Sequence, residues 1–259
     1  MKIAFIPPFS HLNTTFRTNY QLMLPQLTYR EDYSEVYKYH CDNPNQFVIL
    51  DNGAAEGIDW EWKSLLEIAY EFDVDEIVLP DTLRDKDNTI QKAEQFKHHV
   101  EETPDAELND FKWMFVAQGT TVDEFVESGI WAAGQDWITT IGIPRHALTS
   151  VEDPSRMSHR SHISNRLTAA GSDKEIHFLG ANKDYPNEVE TLANRGSTIQ
   201  AYVRGMDTSM PFNYAFRGIE CHQAGIGRPD NYFDRGLWEF NQDILEKNLQ
   251  KFEKHMDVM

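Results

Sequence analysis

The sequence predicts a single (β/α)₈ barrel, and three observations carry that expectation. First, a short apolar run repeatedly ends in a polar residue or a glycine. Residues 47–50 run into Asp51-Asn52-Gly53, 76–79 into Pro80-Asp81-Thr82, and 113–117 into Gln118-Gly119. The pattern continues with 137–141 before Gly142-Ile143-Pro144-Arg145, 176–179 before Gly180-Ala181-Asn182, and 199–203 before Arg204-Gly205-Met206-Asp207. Such runs read as strands buried on both faces of a parallel sheet, with chemistry placed where they end. Second, strand starts after the second recur roughly every 25 to 40 residues, with a helix in each gap. Third, 259 residues is the usual size of one such barrel.

In chain order, residues 2–7 form the first strand. The segment 8–46 is polar and aromatic, with Pro25, Tyr29, Tyr33, Tyr37 and Tyr39, and is too long for an ordinary connection. It is expected to be a rim insertion with a short helix. Residues 59–72 form an amphipathic helix with Leu65, Ile68, Ala69 and Phe72 inward and Asp59 as its cap. Residues 85–102 form a charged, solvated helix, and 121–132 a third with Val122, Phe125, Val126 and Ile130 on one side. A short helix is expected at 187–194. A closing helix at 237–252 carries Leu237, Phe240, Ile244, Leu245, Leu249 and Phe252 inward. Seven strands are placed this way and the eighth has no assignment. No repeat, low-complexity tract or linker divides the chain, so 1–259 is read as one domain.

Composition narrows the function classes. No apolar run approaches the roughly 18 to 20 residues that cross a bilayer. The start, MKIAFIPPF, lacks the apolar region and cleavage site of a signal peptide and reads as a strand. Two cysteines make no disulfide framework, so a reducing cytoplasm is the simplest compartment. The net charge of -18 argues against indiscriminate polyanion binding and also fits a salty host. A nucleic-acid substrate then requires basic residues to be concentrated locally.

Three carboxylates stand at strand ends: Asp51, Asp81 and Asp207. Carboxylates sharing a pocket push each other's pKa values apart, so that one can attack while another carries a proton. Each taken alone could equally cap the helix that follows. Their common phase in the repeat, with Gln118 and the bare backbone of Gly119 and Gly142 beside them, favours a site whose amides suit the edge of a heterocyclic base.

The order Asp-Asn-Gly-Ala, Pro-Asp, Ala-Gln-Gly, Ile-Gly, Leu-Gly-Ala and Met-Asp-Thr-Ser resembles the tRNA-guanine transglycosylase superfamily. It is most similar to the short viral DNA-guanine transglycosylases, which insert 7-deazaguanines into DNA. The resemblance spans most of the chain through short motifs. It implies that Asp207 is the nucleophile and that Asp51 contacts the base in acid/base work. Asp81, Gln118 and Gly142 would recognise the base, with Gly119 beside them. The implied reaction exchanges guanine for a queuosine-related 7-deazaguanine through an aspartyl-glycosyl intermediate, without a cofactor. Two departures stand out. The place of the family's base-stacking aromatic falls at Ala55, so stacking would come from elsewhere, for example a tyrosine of the first long loop. The three-cysteine, one-histidine zinc cluster is missing. His40-Cys41 and Cys221-His222 could make a Cys₂His₂ site only with adjacent ligands at both corners, so buried cysteines and rim histidines are the simpler reading.

Basic residues do cluster: Arg145, His146, Arg156, His159, Arg160, His162 and Arg166 fall just after the fifth assigned strand. In so acidic a chain this reads as a phosphate track, against the plainer alternative of a solvated charged helix. The favoured partners are therefore DNA and a free 7-deazaguanine. The same exchange on tRNA, a barrel hydrolase of small nucleosides or glycosides, and a non-catalytic nucleic-acid-binding protein are the alternatives.

Overall fold

A computed structural model of the chain describes residues 1–103, 109–145, 159–181, 203–221 and 227–254, excluding the His159 side chain. Eight strands are all parallel: β1 Lys2–Phe5, β2 Tyr20–Met23, β3 Phe47–Leu50, β4 Glu76–Val78, β5 Lys112–Val116, β6 Thr140–Pro144, β7 Glu175–Leu179 and β8 Val203–Thr208. The ladder runs β1-β8-β7-β6-β5-β4-β3-β2, and its end strands β1 and β2 touch, so the sheet is a nearly closed barrel. Around it lie α1 Glu31–Cys41, α2 Trp62–Phe72, α3 Lys86–Glu102, α4 Val122–Ala133, α5 His159–Ala169, α6 Met210–Phe216 and α7 Gln242–Glu253. The fold is an α/β TIM-like barrel. No helix among the described residues is long and apolar enough to cross a membrane.

The missing eighth strand is β2, inside the segment expected to be a rim insertion. It escaped the sequence pattern because Gln21 interrupts its four residues. That side chain is fully buried, and its Nε2 donates to Thr15 O and Thr18 O, each at 2.9 Å, so a polar residue sits where an apolar one is expected. The rest of 8–46 is a kinked 3₁₀ segment, Phe9–Arg17, and α1. Tyr33 and Tyr37 are core residues of α1. The Tyr33 hydroxyl accepts from Leu24 N at 2.8 Å and Tyr37 donates to Leu22 O at 2.9 Å, fastening the helix to the end of β2.

Helix boundaries shift where capping chemistry decides them. α2 begins at Trp62, and Asp59 does not cap it but accepts from Lys92 Nζ at 2.9 Å. Asp85 caps α3, accepting from Asn88 N, and that helix is less solvated than its composition implies, with Thr89, Ala93, Phe96 and Val100 buried. Thr121 and Glu124 form a reciprocal capping box for α4, whose Ile130 points outward, 45% exposed. The expected closing helix is split. Leu237–Glu239 is a 3₁₀ turn with Leu237 exposed, and Asn241 caps α7 by accepting from Ile244 N at 3.1 Å.

Two strands are out of phase with the sequence reading. The run at 137–141 becomes β6 at Thr140–Pro144, because Ile138 and Trp137 pack in the approach to the strand, Trp137 against Trp113. The run at 199–203 gives way to β8 at Val203–Thr208. Gly142 and Asp207 therefore lie within strands rather than after them. The expected helix at 187–194 and residues 199–202 fall outside the described residues.

Candidate active site

A cavity of about 420 Å³ opens at the C-terminal ends of the strands, within the range of small-molecule sites. Asp51, Asp81, Gln118 and Asp207 all line it, as do Asn52, Arg145 and Arg228. Its apolar wall is aliphatic, including Leu22, Leu24, Val116, Leu179 and Met210.

Local turn chemistry explains the Asp-Asn-Gly motif. Gly53 takes φ 72°, a left-handed conformation that a residue with a Cβ resists, and turns the chain sharply after β3. Its N–H donates to Asp51 Oδ2 at 3.2 Å, and Ala54 N donates to Asn52 Oδ1 at 2.9 Å. The Asn52 amide is thereby aimed at the neighbouring strand end, where Nδ2 donates to Leu79 O and to Asp81 Oδ1, each at 2.7 Å. Gln118 holds the other Asp81 oxygen from the opposite side, and its own Oε1 accepts from Arg84 N at 3.0 Å. Asp81 is thus clamped by two amides that are themselves anchored.

The carboxylates are electrostatically distinct. Burial pushes Asp51 from 3.8 up to about 8, and the nearby charges of Glu56, Asp207 and Asp81 add to the effect. A value near 8 favours the protonated form of Asp51 at neutral pH. Burial also raises Asp81, opposed by the donors Asn52 and Gln118. Asp207 Oδ1 accepts from Gly180 N at 2.8 Å and contacts His177 Nε2 at 3.3 Å. Its Oδ2 has no hydrogen-bond partner among the described residues, and the side chain lines the cavity.

Several expected site residues lie elsewhere. Neither Gly119 nor Gly142 lines the cavity. A Cβ on Gly119 would stand 2.6 Å from Glu124 Cβ, so glycine there admits the capping box of α4. A Cβ on Gly142 would meet Leu179 Cδ1 at 3.0 Å and Met114 Sδ at 3.1 Å, and its carbonyl accepts from Ala117 N. Its backbone is a strand rung, not a bare edge. No tyrosine of 8–46 lines the cavity, and neither does any other aromatic among the described residues.

Among the described residues the basic cluster does not form one track. Arg145 lines the cavity, while His146 and Arg156 fall outside the described residues. Arg160 is fully buried; its Nη1 donates to Leu179 O at 3.2 Å and Gly180 O at 2.7 Å, and its guanidinium lies over Phe178. It belongs to the buried stripe of α5 with Ile163, Ser164 and Leu167, a helical spacing that overrides its charge. Arg166 pairs with Asp123 on the outer surface.

The described zinc candidates, His40, Cys41 and Cys221, do not come together either. His40 is buried on α1 with Nε2 at 2.8 Å from Thr15 Oγ1, and burial pushes the Cys41 thiol up to about 12. Cys221 is buried against α6 and α7 and is raised to about 12 in the same way, while His222 is not among the described residues. Both cysteines are free thiols. Among the described residues no group of three or more His, Cys, Asp or Glu is placed to hold a metal ion.

Four participants were not legible as site residues. Arg228 stands at the cavity wall, donating from Nε to Ser209 Oγ at 3.0 Å and pairing with Glu56 at 2.8 Å. His177, Tyr20 and Arg204 lie behind Asp207 in the barrel interior. The available signal was polar residues inside core strands, Glu76, Thr140, His177 and Arg204 among them, which apolar-run counting passes over.

No family model matches the chain, and none of the curated proteins compared matches it. Among solved structures it is similar to the carboxyl transferase domain of Rhizobium etli pyruvate carboxylase with pyruvate, at 11% identity and a TM-score of 0.50. The likeness covers 92% of this chain and 40% of that one, so the chain spans about two fifths of the matched structure's length. At that identity the shared property is architecture: the chain is a (β/α)₈ barrel, and its chemistry has to be argued from its own residues.

Proposed function

We propose that the protein is a base-exchange glycosyltransferase that replaces guanine in DNA with a 7-deazaguanine. The observation that carries this reading is the disposition of Asp207. One oxygen accepts from Gly180 N and stands 3.3 Å from His177 Nε2, and the side chain lines a cavity shared with Asp51, which burial raises to about 8, and a clamped Asp81. In the proposed reaction Asp207 Oδ2 attacks C1′ of the deoxyguanosine, and the bond to the guanine ring nitrogen breaks. Asp51 gives its proton to the departing base. The resulting carboxylate then takes the ring N–H proton of the incoming 7-deazaguanine, whose nitrogen attacks C1′ and releases Asp207. Two displacements at an oxocarbenium-like carbon replace one difficult one. Asp81 accepts from N–H groups on the purine edge, and Arg145 and Arg228 suit phosphates flanking a base taken out of its stack.

The dispersal of Arg145, Arg160 and Arg166 favours a second reading, hydrolysis of a small nucleoside by the same carboxylates. One experiment separates them: the protein is incubated with guanine-labelled DNA, tRNA or free deoxyguanosine, with and without a 7-deazaguanine. Base exchange predicts guanine release from the polynucleotide beyond one equivalent per protein only when the incoming base is present. Release from the free nucleoside in water alone supports hydrolysis, and no release from any substrate refutes both.

The acid role of Asp51 sets a pH dependence. Guanine release should fall as pH rises through about 8, where Asp51 loses its proton. Because the folded value lies above the unfolded 3.8, the native state holds a proton that the unfolded chain has lost between about 4 and about 8. Stability from this group is therefore full below that window and declines across it. Asp51→Asn should raise the melting temperature at the alkaline end and leave it unchanged at the acid end. Equal shifts at both ends would contradict the raised value.

A further inference from the structure

Behind Asp207 the barrel interior holds a chain of polar groups whose direction can be deduced. Arg204 Nε donates to the Tyr20 hydroxyl oxygen at 3.0 Å, and that hydroxyl lies 2.7 Å from His177 Nδ1. An arginine has only donors and keeps its proton, so the Tyr20 oxygen must accept from it. The single Tyr20 hydrogen is then directed at Nδ1, which must be an acceptor. With Nδ1 accepting, the imidazole hydrogen sits on Nε2, which faces Asp207 Oδ1 at 3.3 Å, and the full burial of His177 lowers its pKa and so disfavours the imidazolium, against the pull of Asp207.

The backbone is shaped for this chain. Ile176 pairs with Val203 but His177 with Gly205, so β8 carries one extra residue there, Arg204. Such a bulge re-aims side chains and lets Arg204 and Asp207, three apart on one strand, both meet the Tyr20–His177 pair. A Cβ at Gly205 would lie 2.8 Å from Tyr20 Cε1 and equally close to Lys2 O, so glycine there admits the tyrosine ring. Arg204 is fixed in turn by Glu76 and Thr140, with Glu175 at 3.0 Å.

We infer that Arg204, Tyr20 and His177 form a one-way hydrogen-bond chain that locks His177 in its Nε2–H tautomer and thereby orients Asp207, with Oδ2 as the reacting oxygen. His177 and Tyr20 are positioning residues, since neither lines the cavity. The catalytic consequence rests on the reading of Asp207 as nucleophile; the tautomer does not.

The tautomer is tested on the wild-type protein by long-range proton–nitrogen correlation spectra of its imidazoles near neutral pH, with His177→Gln identifying the signal. The expected result is one tautomer, protonated at Nε2 and accepting at Nδ1. A hydrogen on Nδ1, an averaged pair of nitrogens or an imidazolium would overturn the inference. For the catalytic consequence, glutamine reproduces the donor toward Asp207 and the acceptor toward Tyr20, whereas leucine reproduces neither. His177→Leu should lower kcat for guanine release about 10²-fold with KM little changed, the scale of a misplaced reacting group. His177→Gln should recover most of that loss, and equal losses in the two variants would overturn the positioning role. Should wild-type protein release no guanine at all, the proposed function fails while the spectra still decide the tautomer.

Discussion

Asp207→Asn should abolish base exchange while leaving substrate binding almost intact. The asparagine carbonyl can still accept from Gly180 N and His177 Nε2, so the side chain keeps its place. What is lost is the anionic oxygen facing the cavity. A loss of about 10⁴-fold or more in kcat is expected, at least about 5 kcal/mol of transition-state stabilisation. Polynucleotide affinity should change by less than about threefold, because ground-state contacts are kept. Rapid-quench measurement of guanine release and an independent binding titration read the two quantities separately. An Asp207→Asn variant that exchanges bases at near the wild-type rate would reduce Asp207 to a structural residue of β8.

The second large effect is on stability. Glu76 is completely buried on β4 and pairs with Arg204, whose side chain is also almost fully buried. It accepts besides from Thr140 Oγ1 at 2.6 Å. Removing one partner of a buried pair leaves an uncompensated charge in a low-dielectric interior, which costs about 3 to 5 kcal/mol. Glu76→Gln should therefore lower the denaturant midpoint strongly. Glu175 pairs with the same arginine but is half exposed, and Glu175→Gln should cost less than about 1 kcal/mol. Equal effects from the two variants would mean that solvent reaches Arg204 more freely than its burial implies. The comparison also bears on the site, since Arg204 is the far end of the chain that reaches Asp207.

The repeat of apolar runs and rim residues made the barrel legible in the sequence, because parallel strands buried on both faces cannot hide their composition. β2 was not legible, since Gln21 places a fully buried polar side chain at its centre. Strand ends predicted Asp51, Asp81, Gln118 and Asp207, and all four line one cavity. The glycines misled for a physical reason: Gly119 and Gly142 exist for close packing, which sequence cannot separate from ligand contact. Arg160 misled because position in a helical stripe, not charge, decided its burial. His177, Tyr20 and Arg204 were invisible because their relation depends on a bulge and on contacts between residues up to 184 positions apart.

The central claim is that Asp207 becomes covalently attached to the sugar. Wild-type protein should be quenched in denaturant during turnover on guanine-containing DNA, then digested and mapped by mass. The account predicts a glycosyl ester on the peptide containing Asp207, absent from Asp207→Asn. An ester on Asp51, or base exchange that proceeds with no protein–DNA adduct, would contradict it.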